Sequence, residues 1–480
     1  MAQHETSPLL ALGSVNSPDY DIENVLENAE EYGRLEKSLK RKLDWRMGIL
    51  GLIYILNYID RQNIAVARLR GFEEDLRLEG SQYATCLGVV YVGYLFMQIP
   101  SNLFLEYIGK PSIYLSSCMI LWGFVSVLTG AARGFHDVLA ARFCLGLVEA
   151  GFFAGALLLI SKWYKRDELG ERTAYLACGL LVANATGSLI ASGILKAMDN
   201  ISGISAWRWL FVVEGTLTVL VAFCALFILP DFPTSESSCK WLSHAERAVA
   251  IRRIQADSKS NESGERLMDG FWLAVTDWKV WWLTATLGVY AFASSFHFYF
   301  PTLVQTLGYG PIVTLLICVP PWLTATGVVI LGSRHSDKSS DRFWHITFSV
   351  GVAIIGYIMS VSTMNTAVRY ISFFLMTQVH SSYVCFMAWA SISVSTPSSK
   401  RATALALINT GGVFANIIVP YAWPSSWGSD YSRSFGICIF ASVLYVLMCW
   451  IFRRHLEGLN EAAKRKEAVG SQRQGYRYQL

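Results

Sequence analysis

Four ionisable side chains sit inside apolar stretches of this sequence. Asp60 and Arg61 are adjacent in "LNYIDRQN", near the far end of "WRMGILGLIYILNYIDRQNIAVA"; Arg142 and Glu149 bracket "RFCLGLVE". A charge at the centre of a bilayer costs about 2.5–3.5 kcal/mol on insertion scales, so such residues face a cavity or a partner. The two carboxylates and two arginines sum to zero charge. Burial and a neighbouring arginine push a carboxylate's hold on its proton in opposite senses, so either acid can exchange a proton near neutrality. Protonating both unmasks the arginines, which favours an organic anion, and releasing the protons elsewhere restores the ion pairs. Proton-coupled anion binding is the chemistry this set offers. A static network of ion pairs is the alternative.

Spacing places these groups. Arg142 and Glu149 are seven residues apart, so on a helix they share a face and lie roughly 10.5 Å apart along its axis. Asp60 and Arg61 point about 100° apart, so one can meet a helix partner while the other meets a cavity. Polar and aromatic residues accompany them: Asn57 and Tyr58, then Tyr91, Tyr94 and Gln98, and further on His297, Gln305, Gln378, His380, Asn409 and Asn416. Arg61, Arg142, Asn57, Tyr58, Tyr94, His297, Gln378 and Asn409 are the expected substrate contacts.

The elements that must hold them are membrane spans. The chain has 480 residues, 53% hydrophobic and 16% charged, against about 25% charged in a soluble domain. Charges gather at the ends and in islands between apolar runs of about 20 residues, each long enough to cross a bilayer as a helix. Twelve spans are predicted, at 45–66, 84–106, 113–131, 136–161, 172–195, 206–229, 280–307, 311–332, 343–362, 368–392, 401–423 and 433–452. An even number puts both termini on one side. The N-tail, the even-numbered connections and the C-tail hold most of the 40 Lys and Arg, so that side is expected to be cytoplasmic.

The predicted organisation is a disordered N-tail (1–43), a six-helix half (44–229), a central cytoplasmic loop (230–279), a second six-helix half (280–452) and a basic C-tail (453–480). Within the loop, "WLSHAERAVAIRRIQ" reads as an amphipathic helix on the membrane surface, capped by Ser243 with Glu246 three residues later. A 6 + 6 arrangement is that of two repeats with a substrate site between them. Each half carries a tight charged turn at the same place, "NLFLEYIGKPS" and "SRHSDKSSDR".

Those turns resemble the G-x-L-a-D-R-x-G-R-K signature of the major facilitator superfamily, in degenerate form. Asn102 replaces its first Gly, Glu106 its Asp and Tyr107 its Arg; Gly109 and Lys110 fit, and Asp337 and Lys338 stand in for the second D-R pair. The resemblance implies conformational gating for Glu106, Lys110, Asp337 and Lys338. Seven stretches in order carry it further: "YIDRQNIAVARLRGFEEDL", "MQIPSNLFLEYIG", "ARFCLGLVEAGFFAGA", "WYKRDELGERTA", "WRWLFVVEG", "LPDFP" and "PP…SD". Together they look like the fungal allantoate permease branch of the anion:cation symporter family, over roughly 44–455. One departure is Ala154, where the branch usually has Pro.

The resemblance implies an all-α polytopic membrane protein with the major facilitator fold. It implies proton coupling at Asp60 and Glu149, anion binding at Arg61 and Arg142, and a substrate among small carboxylates, vitamins or dipeptides. Helix 6 is peripheral in that fold, so Glu214 in "WRWLFVVEG" reads as structural. The expected activity is import of a small organic anion with protons. A metabolite exporter and a nutrient receptor on a transporter scaffold are the alternatives. Span 5 lacks the G-P pair of drug:proton antiporters, which counts against export, and the short C-tail counts against a receptor.

No H-E-x-x-H, nucleophile elbow or P-loop occurs, so an enzyme is not expected. The ten Cys fall singly and read as packing residues. No cofactor, metal or nucleic-acid partner is expected; the partners are the anion, protons and the bilayer, and the chain is expected to act as a monomer. Glu5–Leu10 fits an acidic dileucine pattern. It would direct the protein to a vacuole-type membrane; a plasma membrane is otherwise expected.

Overall fold

The computed structural model describes residues 29–198, 201–233, 235, 241–259, 267–339, 341–394, 397–428, 430–468 and 479. The dileucine pattern and most of the distal C-tail lie outside the described residues. Every regular element among those described is helical. In the first half these are α1 (Ala29–Ala67), α2 (Gln82–Ile108), α3 (Pro111–Thr129), α4 (Phe135–Trp163), α5 (Arg166–Ala197) and α6 (Ala206–Ile228). The central stretch forms α7 (His244–Lys259) and α8 (Leu267–Val275). The second half follows as α9 (Trp278–Ala293), α10 (Phe300–Gln305), α11 (Pro311–Ser339), α12 (Phe343–Ser362), α13 (Thr366–Met376), α14 (Val379–Ser393), α15 (Ser398–Ile418) and α16 (Ser432–Ala468).

Ten helical segments are long and apolar enough to cross a membrane among the described residues. The two remaining crossings are the stretch of α1 that carries Asp60 and Arg61, and span 7, which is broken. Twelve crossings fit this arrangement. Helix pairing repeats between the halves: α2 with α4, α3 with α6 and α1 with α5 are matched by α11 with α14, α12 with α16 and α9 with α15. The halves meet along α5 with α11 and α2 with α15. Large apolar side chains such as Phe96, Phe227, Phe348 and Phe440 face outward, as lipid contact requires.

Several boundaries differ from the sequence expectation, each for a local reason. Residues 29–43 are helical rather than part of a disordered tail. Glu36 pairs with Lys40 one turn on, and Leu39 and Leu43 are fully buried. At the other end α16 continues to Ala468, with Arg453 and Arg454 both pairing with Glu457. The two charged stretches are not turns throughout. "NLFLEYI" completes α2, which Gly109 ends in the left-handed region (φ +64°), and Pro111 opens α3. "SRHSDK" lies inside α11, where Asp337 pairs with Arg342 at 2.6 Å.

Span 7 breaks after Ala293 into a 3-10 turn, Ser295–Tyr299, before α10. Pro301 has no N–H to give the His297 carbonyl and collides with a regular helix there. Span 10 breaks between Met376 and Val379 without a proline. There the Thr377 hydroxyl (3.0 Å) and the Gln378 amide (2.6 Å) both donate to the Phe374 carbonyl, competing with the helix ladder.

The central stretch is attached to the halves rather than lying open. α7 has the predicted capping box: Ser243 N–H donates to Glu246 at 3.0 Å, and Glu246 N–H to Ser243 Oγ at 3.2 Å. It packs on α1, where Lys42 and Ser38 reach Glu246 at 2.7 and 2.9 Å. Arg253, fully buried, pairs with Glu36 at 3.4 Å and with Glu168. Lys165 joins Glu36 at 3.1 Å and Lys40 joins Glu168 at 2.5 Å. One charged network therefore ties α1, α5 and α7 together. α8 belongs with the second half: it packs along α15, with Gly270 against Ser399.

At the end of the bundle opposite the termini, aromatic contacts join the halves. Tyr83 meets Tyr299 (ring centroids 5.7 Å) and Tyr91 meets Phe298 (5.9 Å). The Thr85 and Tyr421 hydroxyls are 2.9 Å apart. These contacts seal that end. A cavity of about 240 Å³ lies between the halves on the termini side of the seal.

Candidate functional site

The site starts from α1, where helix geometry separates two neighbours. Asp60 is buried against α3 and α6: the Ser126 hydroxyl donates to Oδ1 at 3.0 Å and the Thr218 hydroxyl to Oδ2 at 2.9 Å. Arg61 turns into the cavity. Its Nε and Nη2 both donate to Oε2 of Glu149, at 3.0 and 2.6 Å. Oε1 of Glu149 has no hydrogen-bond partner, and neither has Nδ2 of Asn57; both residues line the cavity. Three tyrosine rings surround the guanidinium, Tyr58 at 5.2 Å, Tyr94 at 5.5 Å and Tyr91 at 5.6 Å. Cation–π attraction of this kind holds an arginine in place while its charge remains available.

Two close helix approaches bring these groups together. α4 crosses α2 where Gly146 and Gly93 face the partner backbone; a Cβ on Gly146 would overlap the Val90 carbonyl. Glu149, one turn beyond Gly146, thereby comes within reach of Arg61.

Arg142 is placed differently from the expectation. It is buried and does not line the cavity. Its Nη2 donates to the Arg61 carbonyl at 2.8 Å, and Nη1 reaches the Asp60 carbonyl at 3.5 Å. It clamps the backbone of α1 under the charged pair instead of presenting its charge to a ligand. Asp60 is likewise behind the cavity wall, not in it.

The wall from the second half carries no acidic, Lys or Arg side chain and sets polar groups among apolar ones such as Leu287, Val329 and Val384. Tyr290, Ser294 and His297 come from span 7, Ser333 from α11, His380 and Tyr383 from α14, and Asn409 and Asn416 from α15. The break in span 7 carries His297 and the break in span 10 precedes His380; the two rings are 6.2 Å apart. His297 Nδ1 is 2.7 Å from the Ser294 carbonyl and His380 Nδ1 is 3.2 Å from the Thr377 carbonyl. A carbonyl only accepts, so Nδ1 carries the hydrogen in both rings and each Nε2 is left as an acceptor.

Asn57, Tyr58, Arg61, Tyr94, Glu149, His297 and Asn409 all border the cavity, as do Tyr91, His380 and Asn416. Gln378 does not: the break in span 10 turns its amide back onto Phe374. Gln98 and Gln305 also lie outside the lining. Of the four residues assigned to gating, Asp337 has the Arg342 partner already described, while Glu106, Lys110 and Lys338 are exposed. Sequence reasoning missed Tyr54, Asn184, Tyr290 and Tyr383. A signal existed for two of them. Tyr54, Tyr58 and Arg61, and again Tyr290, Ser294 and His297, follow the i, i+4, i+7 spacing of one helix face.

Arg61 is thus the one cationic side chain among the described residues lining the cavity, and Glu149 the one anionic. Paired with each other, the two charges cancel within the cavity wall.

Comparison with known proteins gives the same architecture. A family model described as Major Facilitator Superfamily matches residues 50–420. The "Major facilitator-type transporter hxnP" of Emericella nidulans is 28% identical over 447 residues, covering 90% of this chain and 88% of that one. The "Putative tartrate transporter" of Agrobacterium vitis is 28% identical over 419 residues, covering 86% and 93%. Among solved structures, an inward-facing, unoccupied bacterial homologue of the human lysosomal transporter Spinster superposes with a TM-score of 0.67. It shares 18% identity and covers 86% of this chain and 98% of its own.

Proposed function

The chain belongs to the Major Facilitator Superfamily and is a multi-pass membrane transporter rather than an enzyme, and from that premise we propose that it imports a small organic anion together with protons. The observation that carries this reading is the Arg61–Glu149 pair in the cavity wall, with its second carboxylate oxygen buried and unpartnered.

The mechanism follows from charge. With Glu149 ionised, the pair is neutral and the anion has no cation to meet. A proton on Glu149 removes the charge that holds Arg61, and the anion takes its place against the guanidinium, with the three tyrosines fixing the plane. Asn57 and Asn409 can donate to the anion across the cavity, while His297 Nε2 can accept from a hydroxyl or N–H elsewhere on the substrate. Loss of the proton on the far side lets Glu149 recapture Arg61 and displaces the anion. Alternating access carries the loaded site from one side to the other, with Glu106, Lys110, Asp337 and Lys338 at the helix ends that change partners. Arg142 contributes by holding the backbone that aims Arg61.

A volume of about 240 Å³ is below the ~300–1,000 Å³ of drug-sized sites and suits a compact carboxylate. The relative whose name specifies tartrate and the resemblance to the allantoate permease branch support the same class. The distribution of Lys and Arg supports cytoplasmic termini; a plasma membrane, with a vacuole-type membrane as the alternative, and a monomeric working unit are part of the same proposal. The test is uptake of labelled carboxylates in a transport-null host at two external pH values. Uptake should rise at the lower pH and collapse with a protonophore; uptake indifferent to both contradicts proton symport.

A further inference from the structure

Glu214 of α6 is buried (2% exposed), and neither of its carboxylate oxygens has a hydrogen-bond partner. It does not face lipid. α6 packs against α1, and Glu214 and Thr218, one turn apart on α6, face Asp60 and Asn63, three apart on α1. Thr218 bonds Asp60 directly; Asn63, also 2% exposed, has an unpartnered Nδ2 and is the polar side chain beside Glu214. The helices here are close-packed, for Gly123 of α3 and Gly215 of α6 each stand against the other's carbonyl. Water is thereby kept from the α3–α6 face.

Two carboxyls therefore share a buried interface. Asp60 is the ionisable group that faces Glu214. α3 presents none at this level, Lys196 of α5 is exposed, and Arg68, in the turn packed on α6, pairs with Glu73 at 3.2 Å. The two acids are not equivalent. Asp60 accepts from a hydroxyl on each oxygen, and the unpartnered Trp122 indole N–H adjoins it, which is the environment of an ionised carboxylate. Glu214 has no donor within hydrogen-bond distance and only the Asn63 amide beside it, and an ionised carboxylate so poorly served is not sustained in such a place.

Beside Asn63 lies a second cavity of about 20 Å³, lined by Gln62, Asn63, Asn184, Ser188 and His297 among others. That is room for one water molecule with several polar partners. His297 borders this cavity and the main one, so the small cavity lies between the substrate site and the sealed end.

We propose that Asp60 and Glu214 form a proton-holding site separate from the substrate cavity, with one exchangeable proton resident on Glu214. The proton enters by way of a water in the small cavity that Asn63 orients, and its transfer from Glu214 Oε to Asp60 Oδ leaves the pair at a single negative charge. This rests on the proton-symport reading and adds to it a proton beyond the one on Glu149.

Infrared spectroscopy of the purified protein at neutral pH, in potassium and in sodium buffer, tests this without any substrate. The wild type should show a protonated-carboxyl band in both buffers that shifts in D₂O. Glu214→Gln should lose it and Asp60→Asn should keep it. A wild-type spectrum without the band, a band that does not exchange, or a band retained in Glu214→Gln overturns the proposal. A band present in potassium and abolished by sodium overturns it too, by making the pair a metal-cation site. Should Glu214→Gln not fold, Asp60→Asn and Glu149→Gln decide instead: the band should survive both, and its loss in either assigns the proton to that carboxyl and overturns the proposal. Uptake insensitive to pH with the band intact would instead sink proton symport and leave the pair's proton standing.

Discussion

Arg61 gives two hydrogen bonds, at 3.0 and 2.6 Å, to one oxygen of Glu149, and the other oxygen of Glu149 receives none. The pair is therefore satisfied at one oxygen and unsatisfied at the other, which is buried beside Asn57 in the cavity wall. A proton arriving at Oε1 undoes it without moving the backbone.

Glu149→Gln should fix the site in its unmasked form. Gln keeps the shape and cannot neutralise Arg61. Anion affinity should then exceed that of the wild type by roughly tenfold, about 1.4 kcal/mol, at alkaline pH, while accumulation against a gradient is lost. Calorimetric binding and proteoliposome uptake read the two effects separately.

Arg61→Ala and Asp60→Asn should differ in kind. The first removes the cavity's cation and should abolish binding, a loss of about 3 kcal/mol or more. The second leaves the cavity wall intact and should abolish proton-driven accumulation while sparing exchange. Counterflow in proteoliposomes separates them, and identical phenotypes would return the pair to a structural role.

The network at the termini end makes stability depend on pH. Burial alone would push Glu36 and Glu168 up, but Lys165, Lys40 and Arg253 outweigh it and hold both below the ordinary carboxylate range. Glu246 is held down in the same way by Lys42, the Ser243 N–H and Ser38. With folded values depressed, the contribution is complete above the unfolded value of about 4.3. It is lost as pH falls through the folded values. Thermal unfolding in detergent should show stability level near neutrality and falling below about pH 4. Arg253→Met should lower the plateau by about 3 kcal/mol, the cost of breaking a buried pair.

Gly146→Ala should disturb the α2–α4 crossing, since its Cβ meets the Val90 carbonyl. Overpacking of this kind costs about 1–3 kcal/mol. Because Glu149 is one turn away, the variant should also weaken the Arg61 pair, seen as a shallower pH dependence of binding.

Much of this was legible in the sequence where helix geometry alone decides. The divergence of Asp60 and Arg61 follows from 100° per residue, and the capping box of Ser243 and Glu246 from their spacing. The target of Arg142 was not legible, because backbone carbonyls at a helix crossing leave no mark on residue types. Gln378 was misplaced because span 10 breaks through side-chain competition, with no proline to announce it. Residues 29–43 looked like a tail because their burial comes from α7, which is distant in sequence. Glu214 reads as structural in the sequence, because its neighbours across the α1–α6 contact, Asp60 and Asn63, are distant in the chain. Tyr383 was hidden because tyrosine in an apolar helix reads equally as packing or as a wall.

The most direct test of the central claim is anion affinity of the purified protein as a function of pH, in the wild type and in Glu149→Gln. Affinity should fall as pH rises in the wild type and stay level in the variant, because only the wild type has a carboxylate to compete for Arg61. A wild type with no pH dependence, or a variant that keeps the wild-type slope, contradicts it.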